Sequence, residues 1–133
     1  MNQRYTLEET WEFLEGNGEE LPFDESGNPF VPPQMPNQDD DVLGFSFFRE
    51  LLEEGDYSNL TLPRTFIGRS ELKRVSFQNT DLSESRMCWN DFIECDFSRA
   101  DLFACDMRAS AYIRCKFDQA ILKDADFRRS FFE

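Results

Sequence analysis

Large apolar residues recur every five positions from Leu60 to the end of the chain, each preceded two places earlier by a small or modest residue. Written in fives, the tract reads LTLPR, TFIGR, SELKR, VSFQN, TDLSE, SRMCW, NDFIE, CDFSR, ADLFA, CDMRA, SAYIR, CKFDQ, AILKD, ADFRR and SFF. A period of five matches neither the 3.6 of a helix nor the 2 of a straight strand, so the chain must turn after every block. Within a block the alternation is that of a short strand: the central residue and the one two before it face one way, and the neighbours of the centre face the other. The inward set is small then large, and the outward set is mostly Asp, Ser, Lys, Arg and Gln. The pattern predicts a mainly β fold, a solenoid wound around one narrow apolar interior.

The number of faces per coil can be read from the block centres, because residues one coil apart stack and ladders of similar side chains are favoured. A period of twenty groups Leu62, Leu82, Leu102 and Leu122 in one column and Phe77, Phe97 and Phe117 in a second. Leu72, Phe92, Tyr112 and Phe132 form a third, and Ile67, Met87, Met107 and Phe127 a fourth. A period of fifteen would mix Leu62, Phe77, Phe92, Met107 and Leu122. Four faces per coil is the better solution.

The blocks Ala100-Asp101-Leu102, Ala125-Asp126-Phe127, Thr80-Asp81-Leu82, Cys95-Asp96-Phe97 and Cys105-Asp106-Met107 resemble the pentapeptide-repeat family, whose unit is Ala-(Asp/Asn)-Leu-X-X. The resemblance implies a right-handed quadrilateral β-helix over 57–133. It implies no single activity, since members of this family differ in role: some resemble duplex DNA and act on type II topoisomerases, and others are similar to immunity factors. Leu60 and Val75 are large for the small inward position, and Pro63 removes a ladder donor, which an exposed first coil tolerates.

Upstream, residues 1–56 form an acidic extension. Thr6 with Glu9 makes a capping box, and Leu7, Trp11 and Leu14 give the helix that follows one apolar face, ending before Gly16. Prolines and Gly27 between Leu21 and Pro36 predict an extended arm. A second helix is predicted over 47–54, with Ser46 as N-cap and Gly55 past its end, placed to cover the open end of the solenoid.

Charge divides at the same boundary. Residues 1–56 carry 15 acidic and 2 basic side chains, net −13, whereas 57–133 carry 12 of each. An acidic segment that includes Asp39, Asp40 and Asp41 keeps the chain soluble and offers a dock to a basic protein, not to nucleic acid. No run approaches the roughly 18 apolar residues of a membrane span, and Met1 to Thr6 lacks the opening of a signal peptide, so a cytoplasmic location is expected.

Candidate chemistry is sparse. The chain has no histidine, which removes the commonest general base and most zinc sites. Asp81 with Asp101, and Asp106 with Asp126, stack one coil apart, yet Asp at that place belongs to the repeat itself, and no pocket is implied. Arg64, Arg69 and Arg74 fall on corners, where solvated or ion-paired roles are expected. Cys95, Cys105 and Cys115 occupy small inward positions, and only Cys88 faces outward and should be reachable. Neither catalysis nor a cofactor or metal is expected.

The outward positions hold one anomaly. Ile93, Ala111, Ile113 and Phe131 lie on the face centred by Phe92 and Tyr112, with Trp89 and Ala109 on the adjoining corner, while the Phe97 face is polar. Phe103 and Ile121 make a smaller patch. Such a stripe is to be covered by the 21–36 arm, a second copy or a partner. The expected function is a non-enzymatic protein-binding module that inhibits a basic partner, such as a nuclease-type toxin or a DNA-binding enzyme, in the manner of an immunity protein. The alternatives are a duplex-DNA mimic acting on a type II topoisomerase and a purely structural scaffold. A homodimer through the last coil is a further expectation, because Phe131 and Phe132 leave strand edges and rings uncovered there.

Overall fold

The computed structural model describes residues 3–17 and 46–133. One helix, α1 (Leu7–Gly16), is followed by β1 (Ser46–Phe48), β2 (Leu51–Glu53), β3 (Phe66–Gly68), β4 (Glu71–Lys73), β5 (Asp91–Ile93), β6 (Ala111–Ile113) and β7 (Phe131–Phe132). β1 pairs with β3, and β2, β4, β5, β6 and β7 form a second sheet in that order, all parallel. Every pair joins residues twenty apart, as Phe92 with Tyr112 does, and bridges such as Thr61 with Asp81 and Ser76 with Asp96 extend the same offset to the other faces. The chain is therefore a four-faced β-helix, with the coil length that the columns of similar residues indicate.

The inward register also holds. Leu62, Ile67, Phe77, Leu82, Met87, Phe92, Phe97, Leu102 and Met107 are fully buried. Tyr57, Phe77, Phe97 and Phe117 stack face to face at 5.9, 5.4 and 5.1 Å, and Phe92 stacks on Tyr112 at 5.2 Å. Phe92 meets Phe97 edge-on at 5.4 Å, which ties the two ladders together. The small inward residues have a second task. Ser85 Oγ accepts from Thr65 N at 3.0 Å, Asn90 Oδ1 from Ser70 N at 2.9 Å and Ser110 Oγ from Asn90 N at 3.0 Å, so corner amides that the ladder cannot reach are satisfied from inside.

Each corner turns through a left-handed residue. Seventeen non-glycine residues at intervals of five, from Arg49 to Arg129, have positive φ. None of the seventeen is Val, Ile or Thr, the side chains that this conformation tolerates least.

Two expectations about the upstream segment are corrected. Residues 47–54 are not a helix: β1 and β2 lie there, so the coil is already present at Ser46 and does not start at 57. Phe47, Leu52 and Tyr57 continue the inward series in fives, and Arg49 N and Glu54 N donate to Gly68 O at 3.0 Å and Lys73 O at 2.8 Å. A helix of eight residues is marginal by itself, whereas pairing with β3 and β4 satisfies the same backbone and buries the same apolar residues. Gly55 is accordingly no helix terminator. It occupies the small inward position before Tyr57, where a Cβ would lie 2.6 Å from the ring.

The cap is α1 instead. Its box is as expected, with Thr6 N donating to Glu9 Oε1 at 2.9 Å and Glu9 N to Thr6 Oγ1 at 3.1 Å. Leu14 enters the solenoid core, Leu7 and Trp11 are half-buried, and Thr10 is fully buried. Tyr5 N donates to Asn59 O at 2.8 Å, and Thr61 N donates to Thr10 Oγ1 at 2.9 Å. In later coils the amide at the place of Thr61, such as Asp81 N, donates to a carbonyl one coil back, so Thr10 supplies the acceptor that a coil supplies elsewhere. Asp39, Asp40, Asp41 and the 21–36 arm lie outside the described residues.

Candidate functional site

Parallel pairing fixes the outward rows on the five-strand face. Leu51, Glu71, Asp91, Ala111 and Phe131 form one row, and Lys73, Ile93 and Ile113 lie in the other. The structure brings Ile93, Ala111, Ile113 and Phe131 together on adjacent strands, as expected. Trp89 projects from the adjoining corner with φ 63°. Trp89 and Phe131 are 60% and 58% exposed, while Ile93, Ala111 and Ile113 are half-buried. Leu51, also 58% exposed, lies on this face but is separated from the patch by Glu71 and Asp91. In sequence the Leu51-Leu52 doublet looks like a helix face, which hides its outward place. Phe103 and Ile121 are also exposed.

The stacked aspartates act on the backbone. Asp81, Asp96, Asp101, Asp106 and Asp126 each accept, through Oδ1, from the amide two residues on, at 2.9 to 3.3 Å. Arg108 and Arg128 then grip Asp106 and Asp126 through pairs of hydrogen bonds, each including one of 2.7 Å. The Arg128 side chain holds Asp126 down at about 2. Burial pulls Asp106 upward, but the Arg108 hydrogen bonds outweigh it and leave the carboxyl below its usual range. Carboxylates kept ionised in this way supply no general acid at neutral pH. Asp106 and Asp126 are also neutralised by their arginines, whereas Asp81 and Asp101 are held by turn donors alone.

Cysteine placement follows the register, with Cys95 and Cys105 buried and every thiol free. Cys115 is inward and half-buried near the last coil. Stacking beside the Cys115 sulfur, together with burial, pushes the Cys95 thiol up. Cys88 does face outward, but burial and then the adjacent Asp106 push its thiol up to about 12. Its expected reactivity is therefore revised. At pH 8 Cys88 should react with a disulfide reagent about a thousandfold more slowly than an ordinary thiol, because the thiolate is the nucleophile. Stopped-flow labelling checks this, and a fast native phase would contradict it. Burial also pushes Cys105 up to about 12 from 9.0. The folded state then keeps a proton that the unfolded state loses, so stability present below pH 9 should fall as pH rises toward 12.

The corner at Trp89 is shared with the face carrying β1 and β3. There Arg49 lies over the Phe48 ring at 5.2 Å and Arg69 over the Trp89 ring at 5.6 Å, and Phe48 stacks on Phe66 at 6.2 Å. A cleft of 370 Å³ opens among them, with Arg86 and Arg108 on its far side. From sequence, Arg64, Arg69 and Arg74 are expected on corners in solvated or ion-paired roles. Arg74 is ion-paired to Glu54 at 3.1 Å, Arg64 is half-buried, and Arg69 belongs to this cleft. Sorting outward residues by coil position, as was done for the inward ones, would have shown Arg49 and Arg69 one above the other.

Among the described residues no group of His, Cys, Asp and Glu is placed to hold a metal ion, and no helix is long and apolar enough to cross a membrane.

Comparison with known proteins places the repeat. Residues 70–108 match the family model for pentapeptide repeats, in eight copies. Comparison with curated proteins gives no match. Among solved structures, the chain is similar to a pentapeptide repeat protein of the Arabidopsis thaliana thylakoid lumen, with 19% identity, a TM-score of 0.39, and coverage of 62% of this chain and 61% of that one. It is also similar to HetL, a pentapeptide repeat protein involved in heterocyst differentiation regulation in the cyanobacterium Nostoc, with 17% identity, a TM-score of 0.37, and coverage of 61% and 46%. A third is QnrB1, a plasmid-mediated fluoroquinolone resistance protein, with 9% identity, a TM-score of 0.31, and coverage of 65% and 72%. The match thus spans less than two thirds of the first two proteins. The eight matched copies lie inside a coil that pairs every twenty residues, so residues 70–108 of this chain are pentapeptide repeats.

Proposed function

We propose that this chain is a non-enzymatic protein-binding module that docks its partner on Trp89, Ile93, Ala111, Ile113 and Phe131. The observation that carries the reading is the pairing of two widely exposed aromatic residues, Trp89 and Phe131, with a packed row of Ile93 and Ile113 on one rigid face. Rigid aromatic anchors beside an aliphatic row are the composition of an interface centre. The acidic segment, with Asp39, Asp40 and Asp41, suits a basic partner, which the module inhibits or neutralises in the manner of an immunity protein. Engagement of the aspartates by turns and by Arg108 and Arg128 disfavours the duplex-DNA mimic.

The test takes a partner captured from a native lysate, identifies it and measures its binding kinetics. Ile93→Asp and Ile113→Asp should each speed dissociation by about tenfold to a hundredfold without lowering the melting temperature, since both side chains face outward. Raising salt should slow association with little effect on dissociation. Unchanged dissociation in both variants would remove the docking face, and salt-insensitive association would remove the basic partner.

A further inference from the structure

We propose that the cleft between Arg49, Arg69 and Arg86 is a second binding site, adjoining the apolar docking face and sharing only Trp89 with it, and that it takes an acidic peptide segment with an apolar residue between its carboxylates. Arg49 and Arg69 occupy successive coils of one corner, both exposed, and among the described residues neither is paired to a carboxylate. Each guanidinium instead lies over an aromatic ring, Phe48 or Trp89. A guanidinium attracted to a ring is held in place and keeps N–H donors that can take a carboxylate. Arg108, on the far side, is already neutralised by Asp106 at 2.7 Å, which concentrates the available positive charge at the corner.

The cleft is not a plain cationic patch, because its floor is apolar. Phe66 points outward yet is only 6% exposed, because its ring lies across Gly68, where a Cβ would meet it at 2.8 Å. Phe48 stacks on that ring and widens the floor. A hydrated inorganic anion gains nothing from such a surface, whereas a Leu or Phe flanked by Glu residues fits both parts. The net charge of −13 opposes a long polyanion, since repulsion accumulates along its length. A short acidic segment meets only the local field, within a Debye length of about 8 Å at physiological salt. The partner chemistry is thus an acidic peptide rather than a nucleic acid.

The experiment titrates the full-length 15N-labelled chain with the blocked peptide Glu-Glu-Leu-Glu-Glu at low salt. Shifts should concentrate on the Trp89 indole N–H and on the amides of Phe48 to Arg49 and Gly68 to Arg69. Arg49→Gln with Arg69→Gln should weaken the peptide by about tenfold or more. Gln is safe at these corners, since Gln119 holds the same left-handed conformation at φ 59°. Ile113→Asp should leave the affinity unchanged, which separates this site from the docking face. Replacing the central Leu of the peptide by Ser should cost about threefold to tenfold. Absence of shifts at the corner, equal binding by the double Gln variant, or tighter binding of inorganic phosphate or a single-stranded oligonucleotide would each overturn the proposal.

Discussion

Phe97→Ala should lower the free energy of unfolding by about 3–5 kcal/mol, a large share of the 5–15 kcal/mol of an ordinary domain. The ring is fully buried, sandwiched between Phe77 at 5.4 Å and Phe117 at 5.1 Å, and met edge-on by Phe92. Phe77 and Phe92 cannot readily relax into the space, because backbone hydrogen bonds tie both to the coils on either side. Phe132→Ala is the internal control: the same side chain, 54% exposed on the last strand, should cost about 1 kcal/mol or less. Urea denaturation of both variants checks the pair. A Phe97→Ala loss no greater than that of Phe132→Ala would mean that the stacked ladder is not what holds the coils together.

Leu14→Asp should have the next largest effect, undocking α1 from the solenoid. Leu14 is 1% exposed within the core, so a carboxylate there is either buried without a partner or carries the helix off the coil. Loss of the helix leaves Thr61 N–H without Thr10 Oγ1. The expected cost is about 2–5 kcal/mol, with the Thr61 amide losing its protection from hydrogen exchange well before the amides of Phe97 and Leu102. Thr10→Val isolates the hydrogen bond at nearly constant volume and should cost about 1–3 kcal/mol. If Thr61 stays protected in Leu14→Asp, the helix is not the cap.

The inward half of this fold was legible because one interior imposes one rule on every block. Leu62, Phe77 and Leu102 announce both the five-residue turn and the twenty-residue coil, since only large apolar side chains fit where they stand. The first coil was hidden by its outward residues. Phe48 and Leu51 make the doublets Phe47-Phe48 and Leu51-Leu52, which look like a helix face when pairing to β3 and β4 is unknown. Tertiary pairing overrides local preference in so short a segment. The capping role of α1 was hidden for a different reason: Thr10, a polar residue within a helix, serves as a ladder acceptor. Of the candidate surface, Ile93, Ala111, Ile113, Phe131 and Trp89 were found because apolar residues break an outward polar rule. Arg49 and Arg69 obey that rule, so they stand out as a pair only once the twenty-residue coil is known to include β1.

The twenty-residue coil makes each surface position an address that depends on counting. Ile93 and Ile113, or Arg49 and Arg69, are neighbours only because twenty residues separate them. Five residues inserted between Ile93 and Ile113 would preserve every turn and every inward side chain, yet would carry Ile113 a quarter of the way around the circumference. Twenty inserted residues would keep both on one face and move them one storey further apart, with a strand between them. Length change in this architecture is therefore cheap for folding and disruptive for recognition, so a surface that spans successive coils records an undisturbed count.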